Sequence, residues 1–314
     1  MALDASQVAM SGMLNRRPIF VNGFTRGGTT LVMNLLLSHP GVCAPAGETH
    51  QVFRGFGRTD SPWRIVRKWV FNELPLFPFI GPRAWSPRGL GPRAALSPRG
   101  MRHVDRVLFG EKLRARHPRL NLYRSEGEEY GDDEIAKARL VSKNVDGIVS
   151  LCDWFAEMYP DATFICVLRH GLAVCEGHVR RGWHAYSYGT VYDGLVSRML
   201  ADAERMSNCH LVRFEDLLSA PDDFVARLYD LCGLDLSEVA QFRMERMPTV
   251  QKDGQWKMRF DDVAENSIRW FPRRELREHI EPDVDRNQIA LLSDEQRDGF
   301  LETASDVMER VGYL

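Results

Sequence analysis

The sequence predicts an α/β protein: a three-layer fold with a central, mostly parallel sheet and helices on both faces. Three observations carry that expectation. Short apolar runs rich in β-branched residues recur along the chain, helical patterns follow them, and the first run opens into a glycine-rich turn. Apolar runs without polar alternation suit strands buried on both faces, and strands alternating with helices build parallel sheets. With 314 residues and 44% apolar content, the chain can bury a sizeable core. We expect a single domain over 1–314, carrying a basic Pro/Arg-rich insertion at about 54–119.

The first strand is expected at 18–21 ("PIFV"), with "LVMNLLL" as its helix. The second is "RLVS" at 139–142, followed by "VDGIVSLCDWFAEMY". The third is "TFICVL" at 163–168, followed by "LAVCEGHVRR". The fourth is "HLVRF" at 210–214; the helical stretch after it has Pro221 and Asp222 as start signals and Gly233 as a stop. In the tail, Ser293 and Gln296 have the spacing of a capping box for a terminal helix. Ligands of such sheets bind beyond the carboxyl ends of the strands, where Arg26, Lys143 and Arg169 are expected.

A formal charge of −2 gives no overall attraction to nucleic acid. The charge is unevenly spread: residues 54–119 hold 15 Lys/Arg against 4 Asp/Glu, together with 8 of the 16 prolines. Such a segment disfavours long regular structure through its middle; it is either a solvated insertion or a flap that gathers an anion. Six cysteines without a C-x-x-C pair suggest reduced thiols in a cytoplasmic protein. The N-terminal stretch lacks a continuous apolar core for a signal peptide, and no run approaches the ~20 residues of a membrane span. The histidines and cysteines have no zinc-site spacing, so no metal is expected.

"VNGFTRGGTT" at 21–30 has the rhythm of an anion-binding loop: strand, glycine-rich turn, helix. The backbone N–H groups of Gly27, Gly28, Thr29 and Thr30 are expected to meet an anion at a helix N-terminus, with Arg26 adding charge. A triphosphate-binding loop would carry lysine where Thr29 stands.

"GFTRGGTTLVMNLLLSHPGV" resembles the 5′-phosphosulfate loop of sulfotransferases that use 3′-phosphoadenosine 5′-phosphosulfate (PAPS), P-[KR]-S-G-T-T-[LW], with Thr25 and Gly27 replacing its Pro and Ser. Further stretches resemble that family in its order: "LVSKNVDGIVSLCDWFAEMYPDATFICVLRHGLAVCEGHVRRG", then "LVRFEDLLSAPDDFVARLYDLCGLDL", then "LSDEQ…MERVGY". The resemblance covers roughly 18–50, 139–235 and 290–313. It implies a P-loop-like fold, PAPS as sulfuryl donor, adenosine 3′,5′-bisphosphate as product and a hydroxyl-bearing acceptor, whether carbohydrate, lipid, small-molecule or tyrosyl.

The flavour is that of tyrosylprotein sulfotransferases and related bacterial enzymes, whose G-E-T glutamate is the base; "APAGETHQ" puts Glu48 there, with His50 as the rival. Sulfuryl transfer to an alcohol needs a base within reach of the hydroxyl and cations on the leaving oxygen. The resemblance implies that Lys143 and Arg26 supply those cations and that Arg169 holds the 3′-phosphate. The serine usual eight residues after that arginine is Gly177, and His178 and Arg181 are candidate replacements. Lys257 and Arg286 are candidates for a late basic contact, and the aromatic–cation mixtures "WKMRF" and "SIRWFP" either stack on ligand or cap a core edge. Two other readings stand beside this one: a P-loop-type small-molecule kinase and a non-catalytic anion-binding protein.

Overall fold

A computed structural model describes residues 16–49, 98–115, 131–260 and 268–314. His50 and most of the basic insertion lie outside them. Strands β1 (Ile19–Gly23), β2 (Val42–Cys43), β3 (Arg139–Val145), β4 (Thr163–Leu168) and β5 (Cys209–Arg213) form one parallel sheet in the order β2-β3-β1-β4-β5. The four expected strands are all present. The fifth, β2, is only two residues long and carries no periodicity to read.

Double-sided burial explains the apolar runs. On β1, Phe20 packs into one core with Phe155 and Phe164, whereas Ile19 and Val21 enter the other with Val32 and Leu36. β4 divides its side chains the same way, Phe164 and Cys166 against Ile165 and Val167. Fully burying one such side chain contributes about 1.5–3 kcal/mol. The first core is closed by helices α4 (Cys152–Met158), α5 (Gly171–Val179), α6 (Ala185–Arg205) and α10 (Asp294–Arg310). The second is closed by α1 (Thr29–Leu36), α7 (Phe214–Ser219) and α8 (Pro221–Cys232). The result is a three-layer α/β fold.

Pro221 opens α8 and Gly233 ends it at φ 58°, a left-handed cap that suits glycine. In α10, Ser293 Oγ accepts from Gln296 N at 3.2 Å and Gln296 Oε1 accepts from Ser293 N at 3.1 Å, the expected capping box. The described end of the basic segment is helix α2 (Pro98–Arg114), which starts on its proline. There Lys112 is buried, donating to the Ala136 carbonyl of helix α3 (Asp132–Lys137) at 3.0 Å, and burial lowers its pKa. None of the six cysteines is in a disulfide, and all six are buried. No helix among the described residues is long and apolar enough to cross a membrane.

Past the sheet, β6 (Gln241–Glu245) pairs antiparallel with β9 (Ile268–Pro272), and β7 (Pro248–Val250) with β8 (Trp256–Met258). Helix α9 (Val284–Ile289) supports that hairpin, Asn287 donating to the Val250 carbonyl at 3.3 Å.

Candidate active site

A cleft of about 330 Å³ opens beyond the carboxyl ends of β1, β3 and β4. The loop after β1 forms its floor. Arg26 and Gly28 take left-handed backbone angles, φ 68° and 84°. At Gly28 a Cβ would stand 2.2 Å from the Phe214 ring, so only glycine fits there. The carbonyls of Thr25 and Arg26 are tied off by His178 Nε2 at 3.1 Å and Arg169 Nη1 at 2.6 Å. Asp146 holds the loop's leading edge, its carboxylate accepting from Thr25 N at 3.0 Å and Thr25 Oγ1 at 2.5 Å.

The amide of Gly27 donates to the Phe24 carbonyl at 3.0 Å, closing the turn, and Gly27 does not line the cleft. Gly28, Thr29 and Thr30 do, together with Arg26. Thr29 and Thr30 begin α1, where N–H groups have no intrahelical acceptor and the helix dipole favours an anion.

Glu48 and Lys143 meet at the other wall. Lys143 Nζ lies 2.5 Å from Glu48 Oε1 and donates to Thr30 Oγ1 at 2.9 Å. The lysine side chain is 6% exposed and the glutamate 23%, which leaves the carboxylate reachable from solvent. Next in sequence, Thr49 fixes Glu48 against β3: its Oγ1 donates to the Lys143 carbonyl at 2.9 Å and lies 2.7 Å from Ser142 Oγ. Burial raises the pKa of Glu245 nearby, opposed by Lys143 and Arg243 and reinforced by Glu48.

Arg169 reaches the cleft with most of its donors engaged. Nε and Nη2 donate to Asp285 Oδ1 at 2.9 and 2.5 Å, and Nη2 also donates to Gln288 Oε1 at 2.5 Å. Its guanidinium covers the Phe214 ring at 4.6 Å. Gln288 continues the network by donating to Glu176 Oε2 at 3.1 Å; Glu176 in turn accepts from Arg180 Nε at 3.0 Å. Arg180 stacks 4.0 Å over Trp256 of the hairpin.

His178 sits behind the loop, outside the cleft lining. It stacks on Tyr188 at 3.8 Å, and burial pushes its pKa down to about 4. A carbonyl can only accept, so the neutral ring carries its proton on Nε2 toward Thr25. Arg181 lines the cleft. Lys257 is exposed on β8 and Arg286 is 67% exposed and paired with Asp283; neither lines the cleft. Of the two aromatic–cation stretches, "WKMRF" sends Trp256 and Arg259 to the cleft, whereas Phe271 of "SIRWFP" packs in the core.

The sequence reading missed Asp146, Arg180, Arg259, Asp285 and Gln288. Arg259 is buried enough to lower its pKa, against the pull of Glu281. Its position three residues after Trp256, the aromatic of a hairpin strand, was the available signal. Among the described residues no cluster of three or more His, Cys, Asp or Glu could hold a metal ion.

Residues 101–238 match the model of the Sulfotransferase family. Over this segment, less than half of the chain, the protein is similar to that family. The sulfotransferase match takes in Lys143, Asp146, Arg169 and Arg181, and leaves the loop and Glu48 outside it. Similar solved structures include the sulfotransferase domain of the Synechococcus olefin synthase, at 14% identity over 93% of this chain and 94% of that one, TM-score 0.48. The sulfotransferase domain from the curacin biosynthetic pathway is 15% identical over 92% and 97%, TM-score 0.45. The sulfotransferase STF1 from Mycobacterium tuberculosis is 19% identical over 74% and 72%, TM-score 0.44. No curated protein sequence matches this chain.

Proposed function

We propose that this protein transfers a sulfuryl group from PAPS to an acceptor hydroxyl, with Glu48 as general base, and that its chain is one domain interrupted by the basic insertion. The observation that carries the reading is the Lys143 ammonium, set between Glu48 and the Thr30 hydroxyl of the anion loop. It joins a proton acceptor to an anion cradle across one ammonium group.

The cleft fits such a donor. Arg26, Arg180, Arg181 and Arg259 offer positive charge, while Leu31, Phe214, Leu218, Ile280 and Val284 offer an apolar wall for a base. PAPS supplies a sulfuryl group already joined to a phosphate leaving group. The amides of Thr29 and Thr30 and the Arg26 guanidinium hold that anionic end. Glu48 takes the proton of the acceptor hydroxyl as its oxygen bonds to sulfur. Lys143 stabilises the electron pair that passes to the leaving phosphate oxygen when the sulfur–oxygen bond breaks. Arg169 and Arg181, which both line the cleft, are the candidates for the 3′-phosphate, and His178 supports the loop from behind.

Calorimetric titration with adenosine 3′,5′-bisphosphate, beside adenosine 5′-phosphate and ATP with Mg²⁺, tests the reading. Selective binding of the bisphosphate supports it. Preference for ATP moves the protein to phosphoryl transfer, and absence of nucleotide binding leaves an anion-binding scaffold.

A further inference from the structure

Gly177 lies on α5 directly behind the Arg26 side chain. A Cβ built there would stand 3.0 Å from both Cβ and Cγ of Arg26, closer than a comfortable carbon–carbon contact, and 3.8 Å from its Cδ. The contact falls on the root of the arginine, not its flexible end. That root cannot easily retreat. Arg26 is in the left-handed region at φ 68°, its carbonyl is tied to Arg169, and the preceding carbonyl is tied to His178, the residue after Gly177. The guanidinium Nε is buried and has no hydrogen-bond partner, and the side chain lines the cleft. The open space at position 177 therefore sets where this under-partnered cation stands.

We infer that Gly177 is a positioning residue: the missing side chain seats the stem of Arg26 against α5 and aims its guanidinium at the anionic part of the donor. This rests on the proposed PAPS reading for the identity of the ligand, and on packing alone for the coupling between the two residues. A methyl group at 177 would push the arginine by a few tenths of an ångström. The loop backbone is fixed on either side, so the displacement passes to the guanidinium.

The test is a double-mutant cycle of Gly177→Ala and Arg26→Ala, read by calorimetry with adenosine 3′,5′-bisphosphate and by thermal melting. In the otherwise unaltered protein, Gly177→Ala should weaken the bisphosphate by about tenfold, the scale of one charge-assisted hydrogen bond. In the Arg26→Ala background the same substitution should change affinity by less than about twofold. Equal losses in both backgrounds, or no loss in either, overturn the inference. If the unaltered protein binds no bisphosphate, the PAPS reading fails and the melts still decide the packing. A drop in melting temperature with Gly177→Ala that Arg26→Ala abolishes keeps Gly177 as the seat of Arg26; an undiminished drop removes it.

Discussion

Lys143 Nζ stands 2.5 Å from Glu48 Oε1 and 2.9 Å from Thr30 Oγ1, so one ammonium group touches both the proposed base and the anion loop. Removing either charged member should separate chemistry from binding. Glu48→Gln should keep bisphosphate affinity within about threefold while lowering kcat by about 10²–10⁴. Turnover at the unaltered rate would take Glu48 out of the mechanism. Lys143→Met should lower kcat by a further-reaching route, losing about 10²–10³ through the leaving oxygen. Single-turnover assays with labelled donor separate the two.

Asp146 binds Thr25 through both its amide and its hydroxyl, and does so from a left-handed backbone at φ 54°. Asp146→Ala leaves those donors without their acceptor and should cost about 1–3 kcal/mol in urea unfolding. Asp146→Asn keeps an oxygen for the amide and tolerates the backbone angle, so it should lose less. Equal losses would mean that the charge, not the hydrogen-bond geometry, holds the loop.

Gly28→Ala should be among the most damaging single substitutions. Its methyl group would enter the Phe214 ring, and φ 84° adds backbone strain. A loss above about 2 kcal/mol is expected, and Phe214→Ala in the same chain should recover only the steric part.

His178 gives a stability term with a definite sign. Burial lowers its folded pKa to about 4 from 6.5, so between these values the unfolded chain binds the proton and the folded chain does not. Its contribution is fully present above pH 6.5 and is lost as pH falls toward 4, up to roughly 3 kcal/mol. Burial shifts His39, His170, His210 and His279 in the same direction, so the diagnostic quantity is the difference between proteins. His178→Gln keeps an amide donor for Thr25 and should flatten the acid limb of the denaturation profile; an unchanged slope would show that the imidazole does not titrate there.

The strands were legible because burial on both sheet faces leaves unbroken apolar runs, as in "TFICVL", which is β4 residue for residue. The loop was legible because its glycines and threonines sit at a strand-to-helix junction. Other features depend on tertiary distance. Asp285 meets Arg169 across 116 positions, and no local pattern announces that partnership. Asp146 differs from any turn aspartate only through where its backbone turns. The place of His178 directly after Gly177, where the resembled family carries its serine, suggested a ligand contact, but a helix also has a back, and the ring lies against Tyr188 and the Thr25 carbonyl.

The end of β3 carries Lys143, and Asp146, three positions on, directly follows the strand's last residue; β3 is paired in register with β1 so that Lys143 lies beside Val21 and Val145 beside Gly23. One rigid strand and the turn directly at its end thus deliver the ammonium group and the clamp on the loop at a fixed spacing. In evolutionary terms, an insertion or deletion inside this strand would misplace both groups at once, whereas changes of length in the β7–β8 hairpin would leave their spacing untouched. Descendants of this chain can therefore drift in what they admit to the cleft far more freely than in the spacing of the groups on its floor.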